Sequence, residues 1–195
     1  MKKLAIASNN PGKLAEFQIL LAPLGIEVVT QAQLGIKEAE EPHLTFLENA
    51  LAKARHVSLE SGLPALADDS GICVDALGGM PGVISARYSG LPLSDVRNNQ
   101  TLLGAMRTHT NRKAHYYCVL LLTRSAGDPQ PLIAEGEWHG EITLEPRGSG
   151  GFGYDPLFWL PELGKTSAEL SRDEKQAISH RGRAMKVLLE KLRMR

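Results

Sequence analysis

Cysteine is scarce in this chain of 195 residues: Cys73 and Cys118 are the only two, each inside an apolar run. Two buried thiols fit a reducing compartment, and a CxxC metal pair is absent. Neither sign of charge is in excess, with Lys+Arg at 22 and Asp+Glu at 22. That balance argues against a protein that grips a nucleic-acid backbone, though a small anionic ligand needs only a local basic cluster. Long apolar runs are missing. None approaches the roughly 20 residues of a membrane span, and the opening run Leu4–Ala7 is too short for a signal h-region. There is no Walker loop, no repeat and no low-complexity tract. A hydrophobic content of 43% supports a real core. The expectation is a cytoplasmic protein with no membrane or nucleic-acid partner, folded as one domain of two lobes over residues 1–195.

The chain opens as strand, loop, helix. Leu4–Ala7 reads as a buried strand and Ser8-Asn9-Asn10-Pro11-Gly12-Lys13 as a polar loop. Leu14, Phe17, Leu20, Leu21 and Leu24 then recur at helical spacing until Gly25. Such a unit aims backbone N–H groups and a helix N-terminus at one point, which suits an anion. Lys13 in the first turn opposes the helix dipole, so it fits either a solvated lysine or one beside a bound phosphate. Ile26–Thr30 reads as a strand and Glu38–Pro42 as an acidic loop. Thr45 and Glu48 form a capping box for a helix ending near Gly62. On it Asn49 and Lys53 share a face beside the apolar stripe.

The central stretch runs from Ala67 to Gly90. Asp68 and Asp69 follow the apolar run Leu63–Ala67, and Ser70-Gly71 reads as the end of that strand. An acidic pair lifted above a sheet holds a divalent cation or places a general base; the same four residues are also ordinary turn chemistry. Ile72–Leu77 reads as a second strand, pairing with the first or continuing it, and Gly78–Gly82 as a rigid turn. Ser94 caps a helix with Val96, Leu102, Leu103 and Met106 on its core side. Ala114–Thr123 is apolar on both faces and reads as a central strand, and Leu132–Ile142 alternates as its hairpin partner nearer an edge.

Gly148–Gly153 matches GxGxxG formally, but no strand precedes it and no helix follows, so a dinucleotide fingerprint is rejected. What remains is a flexible main chain with Phe152 and Tyr154 as candidate base-stacking surfaces. At the C-terminus two caps compete. Ser171 with Glu174 would start one long helix; Ser179 would start a shorter one with His180 and Arg181 in its first turn. The second is favoured, because cations there mark a bound anion or electron-rich ligand.

Taken together, Ser8–Lys13, the Ala67–Gly90 stretch, and Gly151–Pro156 with Ser179-His180-Arg181 resemble the inosine triphosphate pyrophosphatase family of the dITP/XTP type. The resemblance covers essentially the whole chain. It implies an α/β fold with a long mixed twisted sheet flanked by helices, two lobes, a central cleft and a homodimer. The implied activity is Mg2+-dependent hydrolysis of ITP, dITP and XTP to the monophosphate and pyrophosphate, which clears them from the nucleotide pool. By motif position, Ser8, Asn9, Asn10, Pro11, Gly12 and Lys13 would hold the triphosphate, with Lys53 a further phosphate candidate. Asp69 would be general base and metal ligand. Glu40 would be the other metal residue and Glu41 a nearby candidate. Ser70, Phe152, Gly153, Tyr154, Asp155, Lys175, His180 and Arg181 would contact the nucleotide, the last two near the base.

The chemistry agrees with that implication. Triphosphate hydrolysis needs charge neutralisation, a bridging metal and an oriented water. Selecting a 6-keto purine needs a donor that a 6-amino group would leave unpaired. The alternatives are a pyrophosphatase for pyrimidine or methylated nucleotides and a non-catalytic nucleotide-binding module.

Overall fold

The computed structural model describes Lys2 to Met194; the side chain of Leu20 lies outside the described residues. Seven strands form one mixed sheet in the order β2-β1-β3-β4-β5-β6-β7. They are β1 (Lys3–Ala7), β2 (Glu27–Thr30), β3 (Ala65–Val74), β4 (Lys113–Thr123), β5 (Leu132–Ile142), β6 (Phe158–Leu160) and β7 (Lys165–Thr166). The helices are α1 (Pro11–Leu21), α2 (Phe46–Ser61), α3 (Asp95–Ala105), α4 (Arg172–Ile178) and α5 (His180–Arg193). Two compact units divide the chain: one holds Met1–Asp69, Cys118–Glu135 and Ala184–Arg195, the other Ser70–Tyr117 and Gly136–Arg183.

In the first unit β1 pairs in parallel with β2 on one side and β3 on the other, with Ala7 opposite Ala67. The chain therefore reverses its direction of travel across the sheet after β2. Right-handed crossovers then put α1 and α2 on opposite faces. The side chains obey that division. Leu4, Ile6 and Leu66 pack with Phe17 and Leu21 of α1 and with Ala184, Met185 and Leu188 of α5. Ala5, Ala7, Ala65 and Ala67 are also fully or almost fully buried. Being small and on the alternate face, they let α2 lie close against β1 with its own Ala50, Ala54 and Val57 inward. β4 contributes Cys118, Leu120 and Leu122 to the α1–α5 core while Val119 and Leu121 are buried on its other face. That is the two-sided burial expected of a central strand.

The second unit packs Ile72, Val74, Leu102, Met106 and Ala114 around an aromatic group of Tyr116, Trp138, Tyr154 and Phe158. Tyr116 meets Phe158 edge-on at 4.7 Å between ring centres. β5 alternates buried and exposed residues as expected, but it is interior to the sheet, because β6 and β7 extend beyond it as antiparallel neighbours. Gly140 makes this possible, since a Cβ there would run into the Trp159 carbonyl and the Phe158 ring.

Two further expectations fail. β3 does not end at Ser70-Gly71 but runs on to Val74. Pairing with its neighbours inside a buried sheet overrides turn composition at these residues. Val96 is not on the core side of α3: it is 67% exposed, and Asn98, Asn99 and Leu102 face inward instead. The competing C-terminal caps are both used. Ser171 and Glu174 cap α4 reciprocally, and Ser179 breaks the helix and caps α5 through the Gly182 N–H at 3.2 Å.

Candidate functional site

Because β3 is continuous, Asp68 and Asp69 leave opposite faces of the sheet. Each meets a lysine from the helix on its own side. Asp68, 1% exposed, takes Lys13 Nζ of α1 at 2.8 Å. Asp69 Oδ1 takes Lys53 Nζ of α2 at 2.9 Å, and the same ammonium reaches Glu41 Oε1 at 2.9 Å. The adjacent carboxylates are thus separate ion pairs. They stand on β3 just beyond Ala67, next to the loop that follows β1. That is the carboxyl end of a parallel pair where strand order reverses, the place where open α/β sheets bind ligands.

The Ser8–Lys13 segment is built as expected. Asn10 caps α1 by accepting the Lys13 N–H at 3.1 Å, Pro11 fills the first helical position, and Ser8 Oγ accepts the Asn10 N–H at 3.2 Å. Ser8 is buried, while Asn9, Asn10 and Pro11 are exposed. The acidic loop is tied to α2 from two successive turns. Asn49, fully buried, accepts the His43 N–H and donates to the His43 carbonyl; one turn later Lys53 takes Glu41. Glu40 is exposed, so it is Glu41 that meets Lys53 beside Asp69.

Burial raises the Asp69 carboxyl above the usual carboxylate range, against the pull of Lys53. Burial also opposes the charge on Lys53, but Asp69, Asp68 and Glu41 outweigh it and hold the ammonium well above its ordinary value. Asp69 Oδ2 is buried and has no hydrogen-bond partner among the described residues. A carboxylate oxygen excluded from water is expensive to leave unmatched, so it marks a place for a proton, a water or a cation. No cluster of three or more His, Cys, Asp or Glu among the described residues is arranged to hold a metal. Magnesium needs one or two carboxylates and keeps its own waters, so a pair such as Asp69 and Glu41 meets its requirement.

A second constellation lies within the second unit. Arg181, 2% exposed, donates to Ser70 Oγ at 3.0 Å. His180 stacks on Tyr116 at 4.6 Å with the rings 9° from parallel. Phe152 has Lys175 Nζ 4.7 Å from its ring centre and Arg181 beyond at 6.0 Å. Asp155, 2% exposed, organises the loop: it accepts the Phe152 N–H at 2.8 Å and the Ser167 hydroxyl at 2.9 Å, and it pairs with Lys175. Gly151 is required beside it, since φ is +73° and a Cβ would collide with the Asp155 carboxylate. Tyr154 is not a stacking surface. It is 3% exposed in the aromatic core and donates to the Ser85 carbonyl at 2.8 Å.

Sequence reasoning missed four side chains that shape these groups. Ser167 holds Asp155, Asn49 was noted only as a neighbour of Lys53, and Asp95 and Asn99 of α3 reach Gly153. For Asn49 with Lys53 and for Asp95 with Asn99, polar residues at i, i+4 on one helix face were the available signal; Ser167 gave none. The two thiols take no part. Neither is in a disulfide, and burial, with Glu137 and Asp75 nearby, pushes Cys73 up to about 11.

This combination belongs to the class of α/β proteins that set an anion-suited loop and charged side chains at a switch point of the sheet. The chain belongs to the Ham1 family, whose sequence pattern matches residues 4–191. Its sequence is 66% identical over 192 residues to a dITP/XTP pyrophosphatase of Nitrosomonas europaea, covering 98% of this chain and 95% of that protein. It is 63% identical over 197 residues to a dITP/XTP pyrophosphatase of Ralstonia nicotianae, covering 100% and 98%. The fold superposes on the structure of a HAM1 protein from Coxiella burnetii with a TM-score of 0.95 at 46% identity, over 100% of both chains.

Proposed function

We infer that this protein is an enzyme that hydrolyses dITP, XTP and the related ITP to the nucleoside monophosphate and pyrophosphate. Near-complete coverage at up to 66% identity to dITP/XTP pyrophosphatases supports the substrate class. One structural observation supports the chemistry: a buried carboxylate, Asp69, with one oxygen held by Lys53 and the other without a hydrogen-bond partner among the described residues. Oδ2 is the acceptor for the attacking water. The Ser8–Lys13 segment at the N-terminus of α1 receives the phosphates, with Lys13 and Lys53 neutralising charge. Asp69 with Glu41 would hold Mg2+, and the ion would supply charge neutralisation on the phosphates.

At the base end, His180 and Arg181 occupy the first turn of α5 and offer donors to a 6-keto oxygen. A 6-amino group would face them donor to donor and lose binding. Phe152 and Gly153 supply contact surface, with Asp155 and Lys175 holding the loop. The reading extends to a homodimer in the cytoplasm. Two unoxidised cysteines suit that compartment, and no helix among the described residues is long and apolar enough to cross a membrane.

Incubation with dITP and Mg2+, followed by product separation, is the test. dIMP and pyrophosphate are expected; dIDP and orthophosphate would overturn the assignment. Comparable turnover of dTTP or UTP would move the substrate class to pyrimidines.

A further inference from the structure

Gly153 lies between Phe152 and Tyr154 at φ +63°, in a segment with no regular secondary structure. Its two backbone polar groups have nevertheless specific partners, both from one helix. The N–H donates to Asp95 Oδ2 at 2.7 Å, and the carbonyl accepts from Asn99 Nδ2 at 2.9 Å. Asp95 and Asn99 are i and i+4 on α3, so they project from one face and hold the two peptide groups that flank the Gly153 Cα. Asp95 is exposed, and Asn99 is a buried polar side chain on the inward face of α3.

What the grip controls is the residue before it. Phe152 has one backbone anchor through its N–H to Asp155, and the next residue is held by α3. With both ends tied, the ring faces Lys175 and Arg181. Asp95 also carries its charge into the neighbourhood of the base-side aromatics. It adds to the burial that raises the Tyr116 and Tyr154 hydroxyls, and His180 stacks on Tyr116.

We propose that Asp95 and Asn99 are positioning residues that fix the Phe152–Gly153 backbone and thereby set affinity and selectivity for the purine base. The proposal rests on the nucleotide assignment above. Loop ordering of this kind costs binding energy if it must occur on ligand arrival, and a preformed clamp removes that cost. Losing one arm therefore acts on KM. It does not act on the hydrolytic step, which uses Asp69.

Steady-state kinetics on Asp95→Ala, Asn99→Ala, Asp95→Asn and the double alanine variant test it, with dITP and dATP as substrates. Either single alanine variant is expected to raise KM for dITP about tenfold, the size of losing one hydrogen bond to a charged or buried partner, with kcat within about twofold. The preference for dITP over dATP falls in parallel. Asp95→Asn keeps an acceptor oxygen and recovers most of the loss. The double variant is little worse than either single, because one open arm already frees the loop. An unchanged KM, or a loss confined to kcat and thermal stability that Asp95→Asn does not rescue, would overturn the proposal. Hydrogen exchange over residues 148–155 gives a readout independent of turnover: protection at the Gly153 amide drops in Asp95→Ala. If the parent chain fails on dITP, the substrate assignment falls. Unchanged exchange in Asp95→Ala sinks the clamp whether or not the enzyme turns over.

Discussion

Replacing Lys53 with methionine isolates the energetics of the phosphate-side charges. Lys53 is 9% exposed and its ammonium touches both Asp69 and Glu41 at 2.9 Å. Methionine preserves the packing of the stem and deletes the charge. Removing one partner of a buried ion pair strands the other and costs about 3–5 kcal/mol. In a chain of this size that is a fall in Tm of roughly 10 °C, taking about 2–4 °C per kcal/mol. The sign of its pH dependence follows from Asp69. Its carboxyl is already raised by burial and loses its main opposing attraction in the variant, so it rises further. The unfolded chain then ionises at lower pH than the folded one, and folding loses stability as pH climbs from the ordinary aspartate range to the new folded value. Lys53 in the parent is raised, so its contribution is complete throughout neutral pH and lost only in strong alkali. The deficit of Lys53→Met is therefore smaller at pH 5 than at pH 8. Urea unfolding in chelator at both values measures it. Adding Asp69→Asn removes the stranded charge and is expected to recover more than half of the loss at pH 8. A deficit larger at pH 5, or a double variant equal to the sum of the singles, would refute the reasoning.

Other outcomes follow from the same geometry. Asp69→Asn is expected to lower kcat by two to four orders of magnitude, as loss of a general base does, while calorimetry still detects dITP binding. Gly182→Ala is expected to destabilise by about 1–3 kcal/mol in thermal melts and to raise KM. The added Cβ would strike the Gln176 carbonyl, which packs against Gly182 across the α4–α5 break. The variant straightens that break and withdraws His180 and Arg181; an unchanged KM would separate the break from base binding.

Much of the first unit was legible because its signals were redundant. The helical spacing through Phe17 and Leu21, the cap at Thr45 and the Gly62 terminus all agree with α1 and α2 as they stand, Gly62 taking φ +67°. Ser179 was readable as an N-cap by residue type, with His180 and Arg181 after it suiting a helix start only beside a bound anion or electron-rich ligand. Ser171 was also a cap, and the break between them could not be inferred from either alone; the bare Cα of Gly182 decides it. Asp68-Asp69-Ser70-Gly71 misled because turn composition is local, whereas the place of β3 inside a seven-stranded sheet is not. Glu40 and Glu41 could not be ranked, since a loop has no period to assign faces. Only the Asn49 and Lys53 contacts fix which one turns inward.

The unbroken course of β3 carries a consequence for how the gene can vary. Lys13 and Lys53 approach from opposite faces, so their carboxylates must be one residue apart in sequence. An insertion or deletion of one residue between Ala65 and Asp68 would invert the faces downstream. It would present each lysine with the wrong side chain and turn the Ser70 hydroxyl away from Arg181. Length variation is thus forbidden in this short interval, although loops elsewhere tolerate it. In an insertion scan of the whole gene, the interval should appear as a sharp gap in surviving clones.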